Sequence, residues 1–381
     1  MNSLADPIAI IGAGIGGLTT ALALQKAGVK VVVFEGAPEI KPVGAGIAMA
    51  SNAMQVFDRL GVRNAIENAG HRITKMVITD HRLRTLSSTS LKKFERKYGL
   101  YNVAIHRADL QRILAESLGF EHIHLSKRLR HIEERNGYDL TFEDGTHWQC
   151  NSLIGADGIR STVRNQLFQS GKIRDTGQRC WRGVSVYSGN AAFTHHAYEA
   201  WGKGKRFGFV KVDDRRVYWY AVVNQELQDG VKTLSELFGD FHPEILEMIE
   251  MTPTEDVIFN DLIDLKPFHR WHHGRACIIG DAAHASTPNL GQGACQAVED
   301  AFVLGQLFAK NLTVEEVFNR YEKLRKNKAH LVVNSSWKIG VIAHYKNEIA
   351  CSVRNNLLKI LPSVPQERQL ERLFDINYPI L

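Results

Sequence analysis

The architecture of this chain is set near its start by the sequence Pro7-Ile-Ala-Ile-Ile-Gly12-Ala-Gly14-Ile15-Gly16-Gly17. Residues 7–11 form a short apolar run, which predicts a buried parallel strand. The leucines that follow recur at helical spacing and predict a helix over residues 18–27, closed by Gly28 as its C-terminal cap. The β-branched residues 30–35 predict the next strand. The chain therefore opens on a βαβ unit.

The glycines between the first strand and the helix suit dinucleotide binding. Gly12 permits the tight turn, Gly14 lets the backbone approach a pyrophosphate, and Gly17 allows the helix and strand to pack closely. The N-terminus of the helix attracts phosphates. Glu35 ends the second strand and can accept hydrogen bonds from ribose hydroxyls. This pattern predicts a dinucleotide site, and it does not separate FAD from NAD.

Two further motifs lie far along the chain. The segment Ile154-Gly-Ala-Asp157-Gly158-Ile-Arg-Ser161-Thr-Val-Arg164 predicts a strand that ends in an Asp-Gly turn, with Ser161 capping a helix. In Cys277-Ile-Ile-Gly280-Asp281-Ala-Ala-His284, a strand ends at an aspartate that can accept hydrogen bonds from polyol hydroxyls. A glycine-rich loop and a long helix follow, whose first amides can stabilise negative charge. Two strand–glycine–helix sites so distant in sequence favour a large, two-ended ligand such as FAD.

The rest of the chain divides by composition. Residues 51–60 predict a helix with Ser51 as N-cap, and residues 73–90 alternate like a hairpin. Residues 175–265 contain aromatic-rich strands that predict an antiparallel sheet, followed by one helix over residues 234–251. The expected domains are a discontinuous FAD-binding domain (1–72, 100–174 and 268–335), a substrate domain (73–99 and 175–267) and a C-terminal helical extension (336–381).

Composition excludes several classes of protein. The 381 residues carry 47 Lys and Arg against 41 Asp and Glu, a net charge of +6 that favours anionic small ligands. The basic residues 323–328 are interpreted as a solvated helix face, so no nucleic-acid partner is expected. The five cysteines form no Cys-x-x-Cys pair, which predicts neither disulfides nor zinc and favours the cytoplasm.

No metal site and no membrane insertion are expected. Neither the pair His195-His196 nor the cluster at residues 269–273 has the spacing of a zinc site. No apolar run has the length of a membrane span. The basic amphipathic residues 313–361 predict a helix packed across the cofactor domain, with contact to a membrane that bears an apolar substrate as the alternative.

In this order, the three motifs resemble those of the single-component FAD monooxygenases that hydroxylate aromatic rings, over residues 7–335. The resemblance implies an α/β fold: a Rossmann-like FAD-binding domain with an inserted, mostly antiparallel β substrate domain and C-terminal helices. It implies an enzyme that uses NADH or NADPH and O2 to hydroxylate or epoxidise a small aromatic or heteroaromatic substrate through a flavin C4a-hydroperoxide, as a monomer or homodimer. An oxidase or dehydrogenase of this fold and a non-catalytic FAD-binding protein remain alternatives.

The resemblance also implies which residues contact the cofactor. Arg107 matches the arginine that reaches FAD, Asp281 the ligand of the ribityl chain, and residues 288–293 the loop beside the flavin ring. The expected contacts are Gly12, Gly14, Ile15, Gly16, Gly17, Glu35, Ala48, Arg107, Leu129, Asp157, Asp281, Gly291, Gln292, Gly293 and Ala294.

The substrate residues follow from a likeness to the urate hydroxylases of the same family. Residues 41–47 resemble their early loop, and Arg206 with Tyr218 resembles their substrate-site pair. Arg206 is then expected to pair with an anionic substrate and Tyr218 to orient its ring, the alternative being a hairpin cap and a core tyrosine. Asn289 follows Pro288 where those enzymes have an aspartate, and because an amide cannot accept the same proton, urate itself is disfavoured. Arg206, Tyr218, Pro288 and Asn289 are the catalytic candidates.

Overall fold

The computed structural model describes residues 6–40, 45–187, 193–228, 233–361 and 364–378 of a mixed α/β protein. The strands are β1 (Ile8–Ile11), β2 (Val31–Phe34), β3 (Gly46–Met49), β4 (His71–Ile73), β5 (Lys75–Asp80), β6 (Thr85–Ser90), β7 (Asn102–His106), β8 (Ile123–His124), β9 (Leu129–Glu134), β10 (Tyr138–Phe142), β11 (His147–Cys150), β12 (Leu153–Gly155), β13 (Ile173–Val186), β14 (His196–Trp201), β15 (Lys205–Lys211), β16 (Arg216–Asn224), β17 (Ile258–Leu265), β18 (His272–His273) and β19 (Ala276–Ile278). The helices are α1 (Ile15–Lys26), α2 (Ser51–Leu60), α3 (Arg63–Ala69), α4 (Lys92–Tyr98), α5 (Arg107–Leu118), α6 (Leu234–Leu237), α7 (Pro243–Glu250), α8 (Asp281–His284), α9 (Gly293–Phe308), α10 (Val314–Ala343), α11 (Glu348–Ile360) and α12 (Val364–Phe374).

A six-stranded sheet of order β18-β19-β12-β1-β2-β8 forms the centre of the cofactor half. Its strands pair in parallel except for β18 with β19. All residues of β1 and β2 are buried, as expected for a parallel sheet covered on both faces. The predicted βαβ unit is therefore confirmed. The carboxyl ends of β1, β2, β12 and β19 meet at one edge of this sheet, where α/β proteins bind their ligands.

Helices α1 and α9 pack side by side through small residues. A Cβ built on Gly16 would lie 3.0 Å from the Cβ of Ala297, and one built on Gly305 would lie 2.9 Å from the Cβ of Ala23. The contacts advance in the same direction along both helices. The two helices are therefore parallel, and their N-termini lie together at the ligand edge of the sheet.

A seven-stranded sheet of order β17-β13-β16-β15-β14-β5-β6 forms the second half. It confirms the predicted antiparallel sheet, although β14 and β5 pair in parallel. One face packs on α6 and α7 through large buried side chains such as Phe207 and Trp219. The opposite face carries Glu199, Arg206 and Tyr218, and it faces the cofactor half because Tyr218 packs on the main core and Arg206 hydrogen-bonds to Asn289.

Two local predictions are wrong. Residues 234–251 form two helices, because Pro243, which lacks an N–H and suits the first turn, begins a new one. The N-cap of α2 is Ala50 and not Ser51, whose hydroxyl donates instead to Asn102 Oδ1 at 2.7 Å. Tertiary contact thus displaces the local cap.

The interpretation of residues 323–328 as a solvated face is also wrong. Arg325 is completely buried and pairs with Glu299 and Asp300. Lys328, one helical turn later, pairs with Glu299 at 2.8 Å. Of the four basic residues in this segment, only Lys323 is exposed. No helix of the described ranges is long and apolar enough to cross a membrane.

Candidate active site

The first glycine turn is shaped by packing on one side and is open on the other. Gly12 has φ +107°, and a Cβ there would lie 2.5 Å from the carbonyl oxygen of Ala156. A Cβ on Gly17 would lie 1.9 Å from the Gly12 oxygen. Around a Cβ on Gly14, by contrast, no described atom lies within 4 Å. The backbone at Gly14 therefore has space beside it, at the N-terminus of α1, whereas Gly16 is packed against Ala297 of α9.

Glu35 and α5 border this turn. The two carboxylate oxygens of Glu35 accept hydrogen bonds from the amides of Ala13 and Ala37, both at 2.8 Å. Gln111 donates to the Ala13 oxygen at 2.7 Å. Arg107 lies one helical turn before Gln111 and is exposed, so its side chain is on the same face of α5. Gln111 is not among the predicted contacts, although its spacing of one helical turn from Arg107 was a usable signal.

Leu129 lies beyond the outer edge of the same site. The backbone amide of Lys127 donates to the backbone carbonyl oxygen of Glu35 at 2.7 Å, which brings this segment next to the end of β2. The side chain of Leu129 is buried in the main core. Because the side chain is buried, Leu129 can contact a ligand only through its backbone.

The Asp157 motif forms both the predicted turn and the predicted cap. Asp157 accepts hydrogen bonds from the Ser161 hydroxyl at 2.5 Å and from two amides that begin the next helical turn. Ser161 accepts from the Arg164 amide at 2.9 Å. Burial raises the pKa of Asp157 despite these bonds. The carboxylate is committed to local structure, which leaves the backbone around Gly158 to face the ligand.

Arg164 connects the second motif to the third, a role that the sequence analysis missed. Its buried guanidinium donates to the Ala282 oxygen at 3.0 Å and to the Ile159 oxygen at 2.6 Å. The available signal was its position three residues after Ser161, within the first turn of the segment that the predicted cap begins. The two motifs are therefore held in fixed relation across the sheet edge.

Asp281 begins α8 directly beyond β19. Its carboxylate is exposed and has no hydrogen-bond partner among the residues that the structure describes. His284 points the other way, into the core, where its Nε2 pairs with Asp300 at 2.6 Å. Burial would raise the pKa of Asp300, but His284 and Arg325 outweigh burial and hold it low. Asp281 is thus free to bind a ligand, and His284 supports the strand behind it.

The loop before α9 meets the β3–α2 connection. The Gln292 side chain accepts from Asn52 at 3.0 Å, and the thiol sulfur of Cys295 accepts from the Ala50 amide at 3.4 Å. Ala48 lies in the same corner, since Cys295 also approaches its oxygen. Gly291 has φ +60° with nothing within 4 Å of a Cβ there. Gly291, Gln292, Gly293, Ala294 and Ala48 are therefore brought together.

These residues fit FAD. Neither α1 nor α9 has an acidic residue in its first turn, so the positive ends of two parallel helix dipoles face the same edge. Glu35 and Asp281 provide carboxylates at two separated strand ends, as the two polyol segments of FAD require. Open space lies at Gly14 and Gly291, where a Cβ would otherwise fill the cradle.

The face of the seven-stranded sheet that meets the cofactor half presents a buried ion pair. Arg206 is 1% exposed, and its Nη1 donates to Glu199 Oε1 at 2.8 Å. Glu199 also accepts from Trp201 Nε1 at 2.9 Å and from the Tyr220 hydroxyl at 3.0 Å. Arg206 does not cap the hairpin between β14 and β15. Glu199 was not predicted, because no local pattern in β14 indicates that one of its residues pairs with an arginine of β15.

Asn289 links the flavin loop to this ion pair. Its oxygen accepts a hydrogen bond from Arg206, and its Nδ2 donates to Thr287 Oγ1 at 2.9 Å and to the Ser336 oxygen at 2.7 Å. Both amide hydrogens are thereby used. Pro288, next to it, is exposed. Asn289 thus connects this loop, α10 and the seven-stranded sheet.

Tyr218 and Tyr220 lie on the same face, over glycines that leave room for their rings. A Cβ on Gly46 would lie 2.4 Å from Tyr218, and one on Gly208 would lie 2.0 Å from the Tyr220 ring. Burial raises the pKa of the Tyr218 phenol, and Arg182 and Arg107 offset only part of this rise. Tyr218 is therefore a neutral hydroxyl on this face of the seven-stranded sheet, close enough to Arg107 for that charge to affect its pKa.

Other candidates add nothing to this site. No cluster of potential metal ligands occurs within the described ranges. His272 pairs instead with Glu322 at 2.6 Å, and the ring of His195 stacks on His71. Of the early loop at residues 41–47, residues 41–44 lie outside the described part of the chain.

Together, the parallel sheet, its two glycine turns and the facing antiparallel sheet define a flavoprotein. The chain belongs to the FAD binding domain family, whose model matches residues 6–336. It is an FAD-dependent aromatic monooxygenase, which confirms the predicted fold class, cofactor and activity.

Its similarity to characterised relatives covers nearly the whole chain. It is 37% identical to aurachin C monooxygenase/isomerase of Stigmatella aurantiaca, covering 93% of this chain and 94% of the relative. It is 32% identical to 2-heptyl-3-hydroxy-4(1H)-quinolone synthase of Pseudomonas aeruginosa, covering 96% and 97%. The structure of Klebsiella pneumoniae HpxO complexed with FAD and uric acid superposes with a TM-score of 0.88 at 28% identity, covering 98% of each chain.

Proposed function

We propose that this enzyme uses NADH or NADPH and O2 to hydroxylate a neutral bicyclic heteroaromatic ring of the 4(1H)-quinolone class that carries an apolar tail. One observation carries the proposal: the Arg206 charge is already paired with Glu199 inside the protein. A site for an anion would leave that charge to the ligand. Two relatives, named for aurachin C and for a heptyl-substituted quinolone, support the substrate class.

Arg206 still has hydrogen-bonding capacity toward a ligand. Its Nε is buried with no partner among the described residues. A ring carbonyl oxygen is a neutral acceptor that suits such a donor, because a buried unsatisfied N–H costs about 1–3 kcal/mol. The Tyr218 hydroxyl, which remains protonated, supplies a second donor farther along the same face of the sheet. A neutral ring with a carbonyl oxygen therefore matches both groups.

Bound FAD supplies the capacity to accept a hydride from NAD(P)H and to activate O2. The chain contributes position and exclusion of water. Asn289 and Arg206 hold the flavin loop against the substrate sheet. We assign the proposed cofactor contacts to Gly14, Glu35, Arg107 and Asp281.

Substrate-gated flavin reduction tests this function. Purified holoenzyme is mixed anaerobically with NADH or NADPH, and bleaching near 450 nm is followed with no addition, 2-heptyl-4(1H)-quinolone, urate, salicylate or phenol. We expect the quinolone to accelerate bleaching and to gain one oxygen atom in air. If an anionic compound accelerates it more, the neutral-substrate proposal fails. If neither nicotinamide bleaches the flavin under any condition, the NAD(P)H dependence fails.

A charge variant tests the role of the ion pair. Glu199→Gln leaves Arg206 unpaired, so we expect the ratio of kcat/KM for urate or salicylate over the quinolone to rise about tenfold or more. Asp240→Asn, which removes an exposed ion pair with Lys205, is the matched control. An unchanged ratio in Glu199→Gln would show that the pair does not set substrate charge.

We also infer that the enzyme works in the reducing cytoplasm. All five cysteines are buried free thiols, and burial raises the pKa of Cys150 and of Cys295 to about 12. Such thiols stay protonated and unreactive. The chain is thus suited to the compartment that supplies NAD(P)H.

A further inference from the structure

One face of α11 is apolar and exposed. Ile349, Val353, Leu357 and Ile360 recur at helical spacing, and they are 75%, 53%, 53% and 80% exposed. The other residues on this face are uncharged, namely Ser352 and Asn356. These four apolar residues are called the α11 stripe.

The α11 stripe is part of a larger concentration of exposed apolar side chains. Of the sixteen large apolar residues that are exposed in the described ranges, ten lie within residues 331–364. Val341 and Ile342, at the end of α10, and Tyr345, in the connection that follows, are exposed apolar residues that directly precede the stripe in sequence. Single exposed apolar residues are ordinary, whereas a contiguous patch marks an interaction surface.

The helix that carries the stripe is firmly held. Arg354, on its opposite face, is buried and donates to the Ala343 oxygen at 2.8 Å, while its guanidinium lies 5.2 Å from the centre of the Trp201 ring. Asn347 caps the helix through the Ala350 amide at 3.1 Å. The stripe is therefore presented by an ordered helix and not by a frayed end.

The charge around the stripe is positive. Residues 338–361 contain Lys338, Lys346, Arg354 and Lys359 against the single acid Glu348. Lys346 pairs with Glu226 and Glu348 with Lys203, and Arg354 is buried, so the excess comes from the two remaining lysines. Lys338 and Lys359 are exposed and have no ion-pair partner in the described part of the chain. This excess attracts an anionic surface and repels a second copy of the same patch.

We propose that the α11 stripe docks on an anionic lipid bilayer, with its apolar side chains at the depth of the headgroup–acyl boundary and its lysines at the headgroups. This contact goes beyond the proposed reaction and does not depend on it. The surface also adjoins the substrate face, since Arg354 packs on Trp201, which hydrogen-bonds to Glu199. A substrate with an apolar tail would then reach the enzyme from the bilayer.

Vesicle flotation of the FAD-loaded protein tests this proposal. We expect binding to vesicles of phosphatidylcholine with phosphatidylglycerol, weaker binding to phosphatidylcholine alone, and loss at high salt. Ile349→Ser with Ile360→Ser should weaken partitioning roughly 10- to 100-fold because two large apolar groups leave the lipid. Val186→Ser, which removes an exposed apolar residue outside the patch, should bind like the wild type.

Retained flavin absorbance shows that each variant is folded. If the double serine variant fails to fold, Lys338→Glu with Lys359→Glu replaces it and should abolish the preference for anionic vesicles. Wild-type protein that does not float, or serine variants that float equally well, would overturn the proposal. A wild-type dimer in sedimentation velocity that the serine variant dissociates, without vesicle binding by either, would assign the stripe to a second copy instead.

Discussion

Arg325 and Arg206 are both buried arginines paired with carboxylates, yet their surroundings differ. The guanidinium of Arg325 uses all five N–H donors, on Asp300, Glu299, Tyr378 and both oxygens of Gln296. Arg206 uses two, on Glu199 and Asn289, and its Nε has no partner within the described residues.

The difference separates a structural arginine from one available to a ligand. A fully satisfied buried arginine holds α9 against α10, and nothing remains for a substrate to contact. A partly satisfied buried arginine keeps N–H donors that already lost their water when the chain folded. A ligand that accepts from them therefore does not have to displace water from the guanidinium. The two arginines therefore predict opposite responses to the same substitution.

Arg325→Met should give the largest effect. It removes the guanidinium from two buried carboxylates and leaves Glu299 with Lys328 and Asp300 with His284, so we expect a loss of about 3–5 kcal/mol in the free energy of unfolding. Chemical denaturation measures this loss, with exposed Lys323→Met as the control. A loss below about 1 kcal/mol would remove the contrast between the two arginines, since breaking a buried pair costs more.

Asp281→Ala should separate cofactor binding from folding. The side chain is exposed and unpartnered among the described residues, so apoprotein stability should change little. Loss of a charged hydrogen-bond acceptor should weaken FAD binding roughly 10- to 100-fold. Quenching of FAD fluorescence on titration with apoprotein measures the Kd, and Asp214→Ala is the exposed control. Unchanged affinity would exclude Asp281 from the cofactor site.

Arg206→Met should leave FAD bound and lower kcat/KM. We expect a decrease of roughly tenfold for the preferred ring substrate, because one substrate hydrogen bond is lost. The decrease in unfolding free energy should be smaller than for Arg325→Met. Steady-state kinetics and denaturation are measured on the same preparation. If stability falls as far as in Arg325→Met, Arg206 is structural as well.

His330 should give the smallest effect, on pH dependence. Burial, together with His284 and Lys326, lowers its pKa to about 4 from an ordinary value of about 6.5. The fold therefore favours the neutral ring, and its contribution is complete above about pH 6.5 and lost as pH falls toward 4. We expect about 1–2 kcal/mol less stability across that window. His330→Gln should flatten the slope, and an identical slope would assign it to other groups.

The sequence predicts what is encoded locally. The apolar run before Gly12, the glycine turn and Glu35 are contiguous, and the structure reproduces the βαβ unit that they predict. The Arg206–Glu199 pair depends on strand register, where Trp201 lies opposite Arg206, and no local pattern specifies it. Arg325 looked solvated among its basic neighbours. Its one-turn spacing from Tyr321, which is buried, was the periodic signal for the inner face of α10.

The small-residue contact between α1 and α9 has a consequence for how such an enzyme changes over evolutionary time. The contact sets the distance between the two helix N-termini, one at each glycine turn of the cofactor site. A methyl group added at Gly305 meets Ala23, so it displaces one end of the site relative to the other unless Ala23 shrinks. A larger side chain at one of these paired positions must therefore be matched by a smaller one on the other helix. The seven-stranded sheet is not bound by this condition, so its side chains can vary more freely.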